Sequence, residues 1–427
     1  MARAKKETAL TPEERLQAAL VPDWEWPYKL PENWCWTYFK SISTIKTGKK
    51  DANYGSDEGK YPFFTCAAES IRCHGYSFDC RAILLAGNGD INNISRYNGK
   101  FEAYQRTYVV KIAEPLCFDY IFYWFKYRWF DFNKGKMFGT AIPYIRLGNL
   151  QEFPTPIPPL AEQQRIVDRI ESLFAKLDEA KEKAQAVVDS FETRKAAILH
   201  KAFTGELTAK WREEHGVSID NWKTTRFDSV AAIRSNLVDP AEYQSFPHIA
   251  PDNIEKKTGV LLEYHTIAED GVTSGKHRFY SGQILYSKIR PYLSKAVVVD
   301  FDGLCSADMY PIEAYQNARC LWYYMLSDEF LLQASTAGSR SVLPKINQKE
   351  LSALTVHLPT NDREQEEIAR ILDELFDKEQ QTKEAAEIVL DQIDLMKKSI
   401  LARAFRGELG TNDPSEESAV ELLKRVL

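Results

Sequence analysis

The sequence predicts an α+β chain organised as an internal repeat: two globular α/β domains separated by two long helices that form a coiled coil. Three observations carry this reading. The stretch 162–207 recurs at 364–409 without a gap. The offset is 364−162 = 202 at one end and 409−207 = 202 at the other, and 19 of 46 positions are identical. Within each copy, apolar residues step by four and three, the spacing of a helix that buries one stripe. Between the copies, short strand-like runs are broken by Gly and Asn. Self-similarity at close to half the chain length dictates a duplicated two-part unit rather than a solenoid.

Residues 1–156 are expected to form the first domain, with a polar, partly helical lead over 1–30. Strand-like runs such as Ala82-Ile83-Leu84-Leu85 and Tyr108-Val109-Val110-Lys111-Ile112 are followed by an aromatic helix near 118–130. The first long helix occupies 157–210. Its seam is Ile166, Ile170, Leu173, Leu177, Val187, Phe191 and Ile198, with Pro158-Pro159 before its start and Gly205 past its end, as helix termini require. The second domain, 211–357, follows the same plan more loosely. Asn221-Trp222 answers Asn33-Trp34, Phe246-Pro247 answers Tyr61-Pro62, and an aromatic helix recurs at 321–326. Pro143, Ile145, Leu150 and Pro158 each precede Pro344, Ile346, Leu351 and Pro359 by 201 residues. The second long helix, 358–412, presents Ile368, Leu372, Leu375, Val389, Ile393 and Ile400. The remaining 413–427 reads as an acidic, flexible tail ending in a short amphipathic helix free to dock on a partner.

Composition is that of a globular protein, with 44% hydrophobic and 12% aromatic residues. The chain opens on charge rather than an apolar run, so no secretory leader is expected. The most hydrophobic run, 120–130, carries Lys126 and Arg128 and is too short to span a bilayer. Seven cysteines, an odd number in a large chain, favour reduced thiols in the cytoplasm. The formal charge of −6 is unevenly spread. Residues 31–156 hold 16 Lys and Arg against 12 Asp and Glu, whereas residues 361–427 hold 10 against 17. The total therefore neither shows nor excludes a polyanion partner, whose footprint is a local basic face.

Catalytic motifs are missing. Cys66, Cys73 and Cys80 with His74 lack the paired spacing of structural zinc. Asp252 and Glu255 stand too close together to come from the two strands that present a nuclease metal site. Gly87-Asn88-Gly89 lacks the third glycine and following helix of a dinucleotide loop and reads as a plain turn. There is no phosphate-binding loop and no methyltransferase signature.

Two divergent domains, each followed by a near-identical helix that closes on Ala-Phe-x-Gly-Glu-Leu, resemble the specificity subunit of type I restriction-modification systems. The most specific parts are Ile157-Pro158-Pro159-Leu160-Ala161-Glu162-Gln163-Gln164-Arg165-Ile166, the run 286–295, and the run 337–346. In the first domain the loop corresponding to 338–346, residues 139–145, is shorter and has no arginine. The resemblance implies two target-recognition domains, related by a pseudo-twofold, that each read one half of a bipartite site in double-stranded DNA, with the long antiparallel helices of the coiled coil holding them a fixed distance apart. It implies two methyltransferase (modification) subunits and a restriction/translocase subunit as partners. It implies no cofactor or metal in this chain, S-adenosylmethionine, ATP and Mg belonging to the partners. DNA contacts are expected from Lys46, Lys49, Lys50, Arg96 and Arg106 in the first domain. In the second they are expected from Lys276, Arg278, Lys288, Arg290, Arg340 and Lys345. The residues alone also fit a non-catalytic coiled-coil adaptor with two protein-binding modules, which salt-dependent binding to one bipartite duplex separates from a DNA reader.

Overall fold

The computed structural model describes residues 11–337 and 344–427, which form two compact units: 11–183 with 389–427, and 184–388. The division cuts both rods, so each unit owns one globular domain and a segment of each long helix.

The first unit opens with α1 (Pro12–Ala19), started by a capping box in which Thr11 and Glu14 bond each other's backbone amides. Eight strands follow: β1 (Cys35–Tyr38), β2 (Ser43–Thr47), β3 (Tyr61–Phe64), β4 (Ile71–Cys73), β5 (Phe78–Ala86), β6 (Ile94–Ala103), β7 (Thr107–Ile112) and β8 (Pro154–Ile157). Helices α2 (Phe118–Asn133) and α3 (Leu147–Gln151) precede β8, and α4 (Leu160–Asp189) succeeds it. Six strands make one sheet in the order β2-β7-β5-β6-β3-β4, antiparallel except where β3 lies on β6. β1 and β8 pair separately, Cys35 opposite Ile157, which ties the domain's entry to its exit just before the rod. The aromatic helix α2 encloses Tyr120, Trp124, Phe125 and Trp129 completely, against Phe39 and Phe153. Each such side chain contributes about 1.5–3 kcal/mol by leaving water.

The second unit holds α5 (Phe191–Phe203) and α6 (Ala209–His215), then β9 (Trp222–Arg226), β10 (Ala231–Ile233), β11 (Leu237–Val238), β12 (Pro247–Ile249) and β13 (His265–Thr266). β14 (Lys276–Phe279), β15 (Ile284–Ser287), β16 (Ala296–Val298), β17 (Gly303–Cys305) and β18 (Met309–Ala314) come next, then α7 (Ala318–Met325), α8 (Asp328–Ala337), α9 (Gln348–Ala353), β19 (Thr355–Pro359) and α10 (Asp362–Ala404). Its two sheets, β10-β18-β15-β16 and β11-β14-β17-β12-β13, repeat the first unit's single sheet with the long hairpin interrupted. Ile284 faces Val298 and His277 faces Cys305, and 284+298 = 277+305 = 582, so one ladder runs through the break. β12 lies parallel on β17 as β3 does on β6, and β9 pairs with β19 as β1 does with β8.

The repeated motifs lock domain to rod in the same way twice. Glu162 is buried and accepts from the Trp34 indole (3.0 Å) and the Thr411 hydroxyl (3.3 Å). Glu364, 202 positions on, accepts from the Trp222 indole (3.0 Å), the Thr208 hydroxyl (2.8 Å), Asn221 (2.9 Å) and Arg212 (2.7 Å). Burial raises the Glu162 carboxyl above its ordinary value. Burial pushes Glu364 the same way, but its hydrogen bonds, with the Arg212 guanidinium among the donors, outweigh it and hold the carboxyl low. At the other end of each motif, Phe405 packs against Trp124 and Tyr127, and Phe203 against Tyr324.

In each unit the rod segments run antiparallel. Lys181 meets Asp394 (3.4 Å) and Lys397 meets Asp178 in the first; Arg194 meets Glu379 (2.7 Å) in the second. Ile166, Ile170, Ile368, Leu372, Ile393 and Phe191 are buried, and Leu173, Leu177, Val187, Ile198, Leu375 and Ile400 half-buried.

Three expectations need correction. The first rod is not one helix: it breaks between α4 and α5 at Ser190, whose hydroxyl bonds the Ala186 carbonyl (2.6 Å), a back-bond that bends helices. Gln392 occupies the matching position in the unbroken α10. Val389 is 40% exposed and stands outside the seam, because a straight helix drifts from a strict seven-residue repeat. Finally, residues 411–427 pack on their own unit. Arg165 grips Glu416 with both guanidinium nitrogens (2.9 and 2.8 Å), and α11 (Ala419–Val426) buries Ala419, Leu422 and Leu423 in the first unit's core. Among the described residues, no helix is long and apolar enough to cross a membrane.

Candidate nucleic-acid interface

At one end of the first unit's sheet, four backbone hydrogen bonds bring three loops together. The amide of Gly87 donates to Arg106 O (2.8 Å), that of Ile145 to Gly87 O (2.9 Å), that of Gly89 to Pro143 O (2.8 Å), and that of Thr107 to Tyr104 O (2.8 Å). Asn88 and Tyr144 form a bridge. The segment after β2 joins them: Gly48 N donates to Thr107 O (3.2 Å) and Gln105 N to Lys50 O (2.9 Å). A Cβ at Gly48 would stand 1.9 Å from Ala103 O, so only glycine permits that approach. This frame presents Lys49 and Arg106, both exposed, with Lys50 beside them resting on the Tyr54 ring (4.4 Å).

The second unit builds the same frame. Lys288 N donates to Asp308 O (3.0 Å), Ile346 N to Lys288 O (2.9 Å), Arg290 N to Pro344 O (2.7 Å) and Met309 N to Ser306 O (2.9 Å), and Ile289 bridges Lys345. The offsets are 288−87 = 289−88 = 290−89 = 345−144 = 201 and 308−106 = 309−107 = 202. The backbone repeats, and Pro143 and Ile145 recur as Pro344 and Ile346, but the side chains the frame presents do not. Gly87, Asn88, Gly89, Tyr144 and Arg106 in one unit stand where Lys288, Ile289, Arg290, Lys345 and Asp308 stand in the other.

The sign of charge is thereby rearranged. In the second unit the Asp308 carboxylate lies 3.2 Å from Lys345 Nζ and 3.8 Å from Lys288 Nζ, and Lys288 also donates to Ala307 O (2.5 Å). Arg290 is exposed and its guanidinium has no partner among the described residues. Its backbone is left-handed, φ 48°, where the first unit places Gly89 at φ 72°. An L-residue held there costs about 1–2 kcal/mol.

The structure brings Lys49, Lys50 and Arg106 together in one unit and Lys288, Arg290 and Lys345 in the other. Lys46 lies exposed on β2 opposite Val109, just before this end. Three candidates go elsewhere. Arg96 pairs with Asp119 on α2 and stacks on Phe122 (4.7 Å), drawn to the helix-covered face. Lys276 is buried, donates to Ser274 O and Oγ (3.0 and 2.7 Å), and has its amine lowered by burial. Arg278 is half-buried against Tyr280 (4.8 Å) and Tyr243 (5.4 Å), ten positions before Lys288. Arg340 lies outside the described residues. Charge alone selected Arg96, Lys276 and Arg278, and it does not say which way a strand points. Asn88, Asp308 and Tyr144 escaped the sequence reading, although the 201-residue offset of Pro143 and Pro344 leads back to them. Gly87-Asn88-Gly89 lies in the turn between β5 and β6, as expected, and carries the frame's bridge to Tyr144.

The family described as type I restriction modification DNA specificity domain matches residues 31–188 and again 219–389, each match spanning one globular domain and the start of its rod. The chain is 40% identical over 428 residues to the type I restriction enzyme EcoDI specificity subunit of Escherichia coli, covering 93% of this chain and 95% of that one. It is 25% identical over 325 residues to the EcoKI specificity subunit of Escherichia coli strain K12, covering 67% and 66%. A chain solved in work on complex assembly and conformational transition of the type I R-M system superposes with a TM-score of 0.65 at 19% identity, over 90% of this chain and all of that one. The HsdS subunit from Thermoanaerobacter tengcongensis gives 0.56 at 18%, with the same coverage. At those identities the structural likeness shows the fold.

Proposed function

Because this chain belongs to the family of type I restriction-modification specificity subunits, we propose that its two loop frames each read one half of a bipartite site in double-stranded DNA. The observation that supports this is the pairing of one repeated backbone frame with two different side-chain sets. A surface kept only for packing has no reason to hold its hydrogen bonds while exchanging the side chains at 87–89, 106 and 144 for those at 288–290, 308 and 345. Lysines and Arg106 serve phosphate contact, which positions, while Arg290, Asn88 and Asp308 offer the hydrogen-bonding groups that distinguish base edges. The chain itself transfers and cuts nothing. Two modification subunits carry the methyl donor, a restriction/translocase subunit carries ATP and Mg, and all work in the cytoplasm. The rods and the domain faces beside them are the docking ground.

The test is methylome sequencing of a host carrying this chain with its methyltransferase partner. A split, adenine-methylated motif is the expected result. No motif, or methylation by the chain free of any partner, would overturn the reading.

A further inference from the structure

Lys195 lies on α5 and is a buried lysine without a carboxylate partner among the described residues. Its Nζ donates to Lys257 O (2.8 Å) and Thr258 O (3.2 Å), and it lies 5.5 Å from the Phe376 ring. Burial lowers its amine below the ordinary lysine range. The matching position of the repeat makes a different contact. At 195+202 = 397, Lys397 packs the same way on Phe174 (5.2 Å) but pairs with Asp178. At 178+202 = 380 the second unit has Gln380, so the ion pair is gone.

The two carbonyls that take its place belong to an insertion. Between β12 and β13 the second unit has residues 250–264, fifteen residues, where the first has only 65–70, six, between β3 and β4. Lys257 adopts a left-handed backbone, φ 63°, and its amide donates to Leu293 O (3.1 Å) and Ser294 O (3.3 Å). Leu293 and Ser294 close the single turn that Arg290 opens, Leu293 N donating to Arg290 O (2.8 Å) and Ser294 N to Pro291 O (2.9 Å).

We propose that Lys195 is a positioning residue. Through Lys257 it fixes the Arg290 turn to the rod, so that the rod sets the aim of the second reader's arginine. A loop carrying left-handed, non-glycine residues at Lys257, Arg290 and Ser294 needs such an external hold, because its own backbone preference opposes the conformation. The role of Arg290 rests on the DNA-reading proposal; the mechanical link does not.

The test compares Lys195→Met, which keeps the packing on Phe376 and removes the donors, with Lys195→Arg, which keeps donors, and with Lys397→Met as the matching change in the other unit. Hydrogen exchange on the full chain should show roughly tenfold faster exchange across 256–262 and 288–295 in Lys195→Met. Residues 87–93 should be unchanged, with protection restored in Lys195→Arg. Methylomes of hosts carrying each variant with the methyltransferase should show the second half-site degenerate in Lys195→Met and the first intact. Unchanged exchange at 288–295 overturns the link. Faster exchange with both half-sites unaltered overturns the aiming role, as does a uniform rise in exchange with both halves lost. If the unsubstituted chain yields no motif, the DNA-reading proposal fails and the exchange result alone decides Lys195.

Discussion

Replacing Arg290 by glycine should separate what this residue does for the fold from what it does for DNA. The side chain is exposed and unpartnered among the described residues, so its loss removes no contact. Its left-handed backbone costs about 1–2 kcal/mol, which glycine relieves. Glycine returns about 0.5–1 kcal/mol through the extra freedom of the unfolded chain. The net expectation is a chain as stable as before or more stable by up to about 1.5 kcal/mol, a rise of up to roughly 3–6 °C in the melting temperature of a unit this size. Arg290→Ala keeps the strain and should lie within about 0.5 kcal/mol of the parent. Both should lose about 1–3 kcal/mol of discrimination at one base of the second half-site if the guanidinium meets a base edge. A phosphate contact would weaken all sequences alike. Calorimetry of the purified chain and methylome sequencing read the two effects. If Arg290→Gly unfolds earlier than the parent and leaves the motif intact, the residue is structural and the reasoning is wrong.

The buried glutamates should behave oppositely. Glu364→Gln strands Arg212 in the interior and should cost about 3–5 kcal/mol, whereas Glu162→Gln should cost about 1 kcal/mol or less, both read by chemical denaturation. Titration follows the same split. Glu364 is held low in the fold, so its contribution is present above the ordinary value of 4.5 and is lost as the pH falls through the folded value. Glu162 is raised, so its contribution is full below 4.5 and is lost as the pH rises through the folded value. Stability profiles of the two glutamine variants that have the same shape would contradict this. Lys276→Met should leave DNA affinity and motif unchanged, since the ammonium is buried on Ser274; an altered motif would restore it to the interface. Exchanging residues 31–150 for those of a relative should alter one half of the methylated motif, and alteration of both halves would show that the readers are not independent.

Most of the architecture was legible because packing writes itself into periodicity. Ile166, Ile170, Ile368 and Leu372 lie where helix spacing puts them, and the aromatic run that begins at Tyr120 buries Tyr120, Trp124, Phe125 and Trp129 along one helix. What stayed hidden has physical causes. A serine within a helix is commonplace, so the break at Ser190 leaves no mark in the pattern. The last helix is tied to a residue nearly 400 positions earlier, Ala419 N donating to Asn33 O (2.9 Å), and no local reading reaches that far. The loop frames were the largest omission. Gly-Asn-Gly and Lys-Ile-Arg share nothing as side chains, and their kinship lives in backbone hydrogen bonds. Charge was the weakest guide: it placed Lys49 and Arg106 on the frame but also named Arg96, which Asp119 holds elsewhere.

Asp308 offers the sharpest test of the rearranged charge, because the first unit has Arg106 in its place. Its carboxylate neutralises part of the field of Lys288 and Lys345, with side chains 41%, 23% and 46% exposed. Exposed pairs of this kind contribute only about 0.2–1 kcal/mol each, so Asp308→Asn should fold nearly as well as the parent. Its electrostatic effect should be larger than its structural one. Removing one negative charge raises the net charge beside Lys288 and Lys345 by one, enough to neutralise about one more phosphate, and each phosphate newly neutralised steepens the dependence of log affinity on log salt by about 0.9. Affinity for random duplex should therefore rise at low salt, with a slope steeper by about one. At the same time the second half-site should relax, since an acidic acceptor of the cytosine amino group, or the aim of the two lysines, has been lost. Arg106→Ala in the first unit should do the reverse, flattening the slope by about one. A salt slope unchanged in both variants would mean that neither residue faces DNA, and that the frames serve some other partner.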